Sequence, residues 1–392
     1  PLQPPAMERA PAAAALAIAL GAAVAWFWAP GRRSLALQPS GGGGRLAAAL
    51  GRAWDVLAAP LAFVGLRMMS AGAGCAVPTI DISPFLHGGE RERAAVARQW
   101  DEALSSVGAA YITGHGCPKE VTAALEGCGR DFFGRGLEEK MSYCLGKGYG
   151  SGGYVPQGVE AVARSTGDSS APPDLVENFV FSHGGDPKLE SVPVPSEPQN
   201  FHAAVGAYWR EMDQLLQSLM ELSATALGLH PEHFRPCFVG SKCSLRLGYY
   251  PALAKEEASR PSGAMRYGAH TDYTGFTILR QDPSVSGLEA QTVDGAWHAV
   301  PPQPDAFVVN AGDLIQVWTN DRWRSPPHRV VNPPLGSSPQ PRLSLVFFTG
   351  PSDETMVEAL PGTYGPDRPK RYDPVSAGEH LLRKLQRTSA RL

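Results

Sequence analysis

Cysteine is scarce: six residues in a chain of 392, at positions 75, 117, 128, 144, 237 and 243, and no two form a CxxC pair. That spacing supplies neither a zinc ligand set nor a disulfide framework, so free thiols in a reducing compartment are expected. An excess of either charge is also lacking. Lys plus Arg number 35 against 38 Asp plus Glu, a net charge of −3 that gives no electrostatic footprint for a nucleic-acid partner. No internal repeat is present, which excludes a solenoid array. What the chain does have is 43% hydrophobic residues, enough for a substantial core, together with 43 glycines and 36 prolines. That balance suits a loop-rich β protein better than a helical bundle.

The first seventy residues stand apart. Ala12 to Ala29 is an unbroken apolar run of eighteen, flanked by Arg9 and by Arg32 and Arg33. A stretch of that length is a signal-peptide core or a short membrane anchor. Between Arg9 and Asp81 the only acidic residue is Asp55, against arginines at 32, 33, 45, 52 and 67. Arg-rich, acid-poor sequence behind a signal-like segment resembles the two-part plastid leader of algae with secondary plastids. The aromatic group Trp26-Phe27-Trp28 at the junction is similar to the cleavage region of such leaders. Plastid import is therefore the expected localisation, with an uncleaved membrane anchor as the alternative. Residues 1–74 read as leader and linker, 75–190 as an N-terminal domain, and 191–392 as a helix, a β domain and a closing helix.

Apolar residues at helical spacing predict helices over 90–108, 119–133 and 201–227, and a further helix is expected near 375–387. "VPTIDISPFL" (77–86) reads as a short strand closed by Pro84, "AAYITGHGCP" (109–118) as a strand ending in a glycine turn, and 145–174 as a long loop. After Cys243 the texture changes to short apolar runs separated by Gly, Pro and Asn: 244–250, 274–281, 288–293, 297–300, 306–312, 315–319, 328–332 and 342–350. This cadence predicts a sandwich or jelly roll rather than βαβ units. The expected fold is mainly β with flanking helices: a distorted double-stranded β-helix core with an α/β N-terminal region.

In a strand, residues i and i+2 share a face. His270 and Asp272 in "RYGAHTDYTGFTIL" (266–279) can therefore approach one ion together, and His328 in "SPPHRVVNP" offers a third ligand from a later strand. Two imidazoles and one carboxylate on one triangular face leave the opposite coordination positions open, the pattern of non-haem Fe(II) oxygenases. Arg342 and Ser344 repeat the i, i+2 spacing, placing a guanidinium and a hydroxyl where they can hold a carboxylate.

These blocks, in the order HxD, distal His, RxS, resemble the Fe(II)/2-oxoglutarate-dependent dioxygenases of the isopenicillin N synthase-like group, from about Val77 to Arg387. "AHTDYTGFTILRQD", "AFVVNAGDLIQVWTNDRWRSPPHRVVNP" and "PRLSLVFF" look like that group's core, and "VPTIDIS" and "YITGHG" like its N-terminal domain. The resemblance implies iron ligands His270, Asp272 and His328. It also implies a 2-oxoglutarate site at Arg342, Ser344 and Tyr250, although the asparagine that many relatives carry two residues before the tyrosine is Gly248 here. It implies Fe(II), 2-oxoglutarate and O2 as reactants, with a small organic substrate hydroxylated or desaturated and succinate and CO2 released. Asp272 argues against halogenation, since halogenating relatives carry a small residue at that position. Tyr154 and Phe179 match blocks that border the substrate opening in relatives and are candidate pocket residues. An oxidase of the same fold that uses no 2-oxo acid stays open, because RxS can also hold a substrate carboxylate. So does an inactive ligand-binding scaffold. A monomer is expected. His115 is expected to be a packed turn residue and His298 to be exposed on a strand pair. Trp318 and Trp323 are expected in the core, with Asn320, Asp321 and Arg322 bracing the turn before the distal histidine.

Overall fold

Two sheets face one another, and the alternation of side chains along their strands decides what lies between them. The structure, a computed structural model, describes residues 77–145, 152–182, 192–196, 200–252, 265–333 and 340–388. The expected leader, with its apolar run, lies outside the described residues. Among the described residues no helix is long and apolar enough to cross a membrane.

The helices are α1 (Ser83–His87), α2 (Glu90–Ser106), α3 (Lys119–Phe133), α4 (Leu137–Met141), α5 (Phe201–Ala226), α6 (Asp313–Trp318) and α7 (Ala377–Thr388). The larger sheet is built from β1 (Thr79–Asp81), β2 (Ala109–Thr113), β3 (Gly153–Val155), β4 (Glu177–Ser182), β5 (Ser244–Tyr250), β7 (Phe276–Arg280), β10 (Phe307–Ala311) and β12 (Arg342–Phe348). Their spatial order is β1-β2-β10-β7-β12-β5-β4-β3, so segments 75–190 and 191–392 share one sheet. The smaller sheet holds β6 (Tyr267–His270), β8 (Leu288–Gln291), β9 (Trp297–Ala299) and β11 (His328–Val330), in the order β6-β11-β8-β9.

Period-2 alternation gives the large sheet two different faces. Leu245 and Leu247 of β5, Phe179 and Phe181 of β4, and Leu343, Leu345 and Phe347 of β12 all join the core under the helices. Helix α5 supplies the opposing surface there with a continuous stripe that includes Val205, Tyr208, Met212 and Leu219. The intervening residues, among them Arg246, Gly248, Tyr250, Asn178, Arg342 and Ser344, line a cavity on the other face. Leu288, Ala290 and Val330 of the small sheet line its other side. The result is the expected jelly roll, helices backing one sheet and the cavity held between two.

Three local expectations are corrected. The run 315–319, expected as a strand, lies in α6 as far as Trp318, with Leu314, Ile315, Val317 and Trp318 buried. A short apolar run has no periodicity long enough to separate strand from buried helix. The strand expected to be closed by Pro84 ends earlier, at Asp81, and Pro84 lies in the first turn of α1, where its missing N–H costs nothing. The stretch 145–174 contains β3 and a 3-10 turn, Val162–Thr166.

Candidate metal centre

His270 ends β6, Asp272 follows it, and His328 opens β11 directly across from His270 in the antiparallel register. Asp272 Oδ1 lies 3.7 Å from the Nε2 of each histidine, and the three ligand atoms lie within 4.8 Å of one another. Each ring is oriented from behind. His270 Nδ1 is 2.9 Å from the Gly268 carbonyl and His328 Nδ1 is 3.1 Å from that of Pro326. A carbonyl can only accept, so the proton sits on Nδ1 and the Nε2 lone pairs point at the common centre.

The carboxylate is divided in the same way. Its Oδ2 accepts from the Thr277 hydroxyl at 2.5 Å and the Asn310 amide at 2.6 Å, which leaves Oδ1 for a metal. Burial alone would raise the Asp272 carboxyl, but neighbouring His328, His270 and the Asn310 amide outweigh it and hold the group well below the usual carboxylate range. Burial, and then the proximity of His270, lowers His328, which favours its neutral, ligating form. Main-chain contacts fix the loop. Asp313 N donates to Asp272 O, and a Cβ on Gly312 would stand 2.6 Å from the carbonyl oxygens of Thr274 and Gly275. Only glycine permits that approach.

These three residues share one cavity with Arg342, Ser344 and Tyr250. Arg342 pairs across the ladder with Tyr250, and Ser344 with Gly248. The guanidinium is 1% exposed, donates to Ser344 Oγ and weakly to Gln281, stacks toward the Tyr250 ring, and leaves its Nε without a partner. Burial depresses its pKa. Asn178 of β4 stands across from Gly248, its Oδ1 3.4 Å from where a Cβ there would lie.

Tyr154 and Phe179 are not brought to the cavity. They pair across β3 and β4 in the helix-facing core, Phe179 against Phe132, Phe181 and Phe201, with Tyr154 donating to Glu177. One step of strand phase separates them from the wall residues Asn178 and Val180. Among the described residues no hydrogen bond or ion pair links Asn320, Asp321 or Arg322 to His328. They tie the turn to Thr363, Pro369, Arg371, Tyr372 and Asp101. His115 caps its turn against the Asp305 carbonyl and packs on Phe307, Trp318 and Trp323 are buried, and His298 on β9 is partly exposed. Thr277 and Asn310 escaped the sequence reading. Their one signal is a polar side chain inside an otherwise apolar strand.

The donor set, two imidazole nitrogens and one carboxylate oxygen with polar groups in the cavity beside them, fits a ferrous ion with open positions. Comparison with known proteins agrees. The model of the 2OG-Fe(II) oxygenase superfamily matches residues 241–351, and that of the non-haem dioxygenase N-terminal region, described for morphine synthesis, matches 77–200. Validamycin A dioxygenase of Streptomyces hygroscopicus subsp. limoneus is 31% identical over 320 residues, 79% of this chain and 85% of its own. Gibberellin 20 oxidase 1-B of Triticum aestivum is 34% identical over 292 residues, 73% of this chain and 74% of its own. The crystal structure of a full-length Neurospora crassa protein in complex with alpha-KG and thymine superposes with a TM-score of 0.73 at 27% identity, covering 81% of this chain and 98% of that one. The chain belongs to the 2OG-Fe(II) oxygenase superfamily and is an Fe(II)- and 2-oxoglutarate-dependent oxygenase of small organic molecules.

Proposed function

We propose that His270 Nε2, His328 Nε2 and Asp272 Oδ1 hold the ferrous ion, and that Arg342, Ser344 and Tyr250 hold the distal carboxylate of 2-oxoglutarate. The observation that carries the second assignment is Arg342. A buried guanidinium with an unpartnered N–H and only neutral side-chain acceptors is costly unless an anion completes it. A carboxylate supplies that anion, and the rigid fork of arginine suits it. Ser344 adds a hydroxyl, and the Tyr250 ring closes the pocket from the neighbouring strand. Asn178, across the ladder, provides an amide next to the position where many relatives carry asparagine.

When bound, the ion and 2-oxoglutarate supply O2-dependent decarboxylation to succinate and CO2 and the removal of hydrogen from substrate. The chain's own contribution is geometric and electrostatic. Gly268 O and Pro326 O accept from the two Nδ1–H groups and so aim both Nε2 atoms at the centre, while Thr277 and Asn310 keep Asp272 from rotating. Apolar walls at Leu279, Leu288, Val308 and Val330 exclude water.

The test is 2-oxoglutarate binding to the anaerobic Fe(II) protein. Arg342→Ala is expected to weaken it by about 2–5 kcal/mol while iron affinity holds. Unchanged 2-oxoglutarate affinity would remove the assignment. Succinate formation across a metabolite screen then defines the substrate. The plastid leader over residues 1–74 is proposed on its composition and is tested by fluorescent fusion of residues 7–75.

A further inference from the structure

The two histidine ligands differ in the support their strands give them. His328 lies on β11, an inner strand with β6 on one side and β8 on the other. His270 ends β6, which is an edge of the small sheet. The pairing is irregular just before it. His270 stands opposite His328 and Tyr267 opposite Val330, so Gly268 and Ala269 together face the single residue Arg329. A bulge of this kind re-aims the side chain beside it and interrupts the ladder that holds it. An edge strand has no second ladder to make up the loss.

Asp174, on the segment that leads into β4, occupies the open side. Its Oδ1 accepts from Gly268 N at 2.8 Å and its Oδ2 from Val162 N at 2.8 Å, while its own N–H donates to Glu160 O. Leu175 N donates to Met265 O, so residues 174 and 175 supply bonds that a further strand would give. Gly268 O in turn accepts from His270 Nδ1 at 2.9 Å. One residue thus joins carboxylate to imidazole. The fit is close, since a Cβ on Gly268 would stand 2.9 Å from Ala163 Cβ and 3.3 Å from Asp174 Oδ1. A carboxylate here is costly: Asp174 is 3% exposed, and among the described residues no Lys or Arg forms an ion pair with it. An amide side chain would avoid that cost but has one acceptor oxygen, whereas both oxygens of Asp174 are in use.

Resting on the oxygenase assignment, we propose that Asp174 is a positioning residue of the metal centre: it takes the place of the missing strand beside β6 and, through Gly268, fixes the direction in which His270 presents Nε2. It touches neither the ion nor the co-substrate. Its effect passes through one backbone residue, whose N–H it holds and whose carbonyl holds the ring. Because the same carboxylate also grips Val162, the 3-10 turn Val162–Thr166 is clamped to the bulge, and the ligand direction is set by two segments distant in sequence.

The test uses the full chain, titrated anaerobically with Fe(II) and then with 2-oxoglutarate. Asp174→Ala removes both acceptors. It is expected to weaken Fe(II) binding about tenfold and to shift the charge-transfer absorption of the Fe(II)–2-oxoglutarate complex, measured at saturating iron. A loss of stability alone would leave that band in place. In the metal-free protein the Gly268 amide is expected to be protected from hydrogen exchange in the wild type and to exchange about tenfold faster in the variant. Gly268→Ala, whose Cβ forces the same contact apart from the other side, is expected to reproduce the band shift, and Ala163→Gly in that background to recover part of it. That pair decides the matter should Asp174→Ala fail to fold. Wild-type iron affinity with an unmoved band in a folded variant, or an unprotected Gly268 amide in the metal-free wild type, overturns the proposal. Failure of the wild type itself to bind Fe(II) marks failure of the oxygenase assignment, and the proposal falls with it.

Discussion

At the residue scale, the ligands are less informative than the groups that aim them. Asp272 could rotate to offer either oxygen, and Thr277 with Asn310 removes that freedom by occupying Oδ2. Asn310→Leu keeps the volume and deletes the donor. It is expected to lower Fe(II) affinity by about 10–100-fold in an anaerobic titration, with the fold retained. An affinity equal to that of the wild type would show that Asp272 needs no such restraint. The pattern of His270, Asp272 and a later His328 was legible from the chain, although the strand ends at His270 and it is the connection after it that brings Asp272 round. Thr277 and Asn310 were not, because their role depends on three strands meeting at one carboxylate.

At the element scale, strand phase separates core from cavity. Phe179→Ala is expected to cost about 3–5 kcal/mol in denaturant unfolding, since the ring is fully buried among Phe132, Phe181 and Phe201. In the same variant 2-oxoglutarate affinity is expected to stay at its wild-type value, and a large loss there would return Phe179 to the pocket. The sequence "ENFVFS" could not settle this. Both faces of β4 are buried, so polarity does not mark which side meets the helices and which meets the cavity.

Asp174 links elements too, accepting from Val162 N and Gly268 N while burial raises its pKa to about 6. A carboxyl raised in the folded state contributes stability below its unfolded value near 4 and loses it as pH climbs through about 6. The stability advantage of metal-free wild type over Asp174→Asn is therefore expected to shrink between about pH 4 and pH 6. A pH-independent difference would contradict this.

At the scale of the whole molecule, the site is a seam. His270 and His328 sit on the small sheet, Asp272 on the connection that leaves it and Arg342 on the large sheet, and the core under α5 supports only the large sheet. Binding across the seam ties the sheets together. Fe(II) with 2-oxoglutarate at a hundredfold excess over Kd is expected to stabilise the folded chain by about 2.7 kcal/mol, read as a rise in unfolding midpoint. His270→Ala should abolish most of that gain. A gain of wild-type size in the variant would place the ligands elsewhere.

The chain by itself determined the jelly roll, through strand cadence, and singled out His270, Asp272 and His328 and the i, i+2 pair Arg342 and Ser344, which the fold brings to one cavity. The tertiary structure decided which face of each strand meets the cavity, that 315–318 is helical, and that Arg246 pairs with a glutamate 86 positions away. Those outcomes depend on which sheet or helix covers a buried segment, and no local pattern encodes its cover.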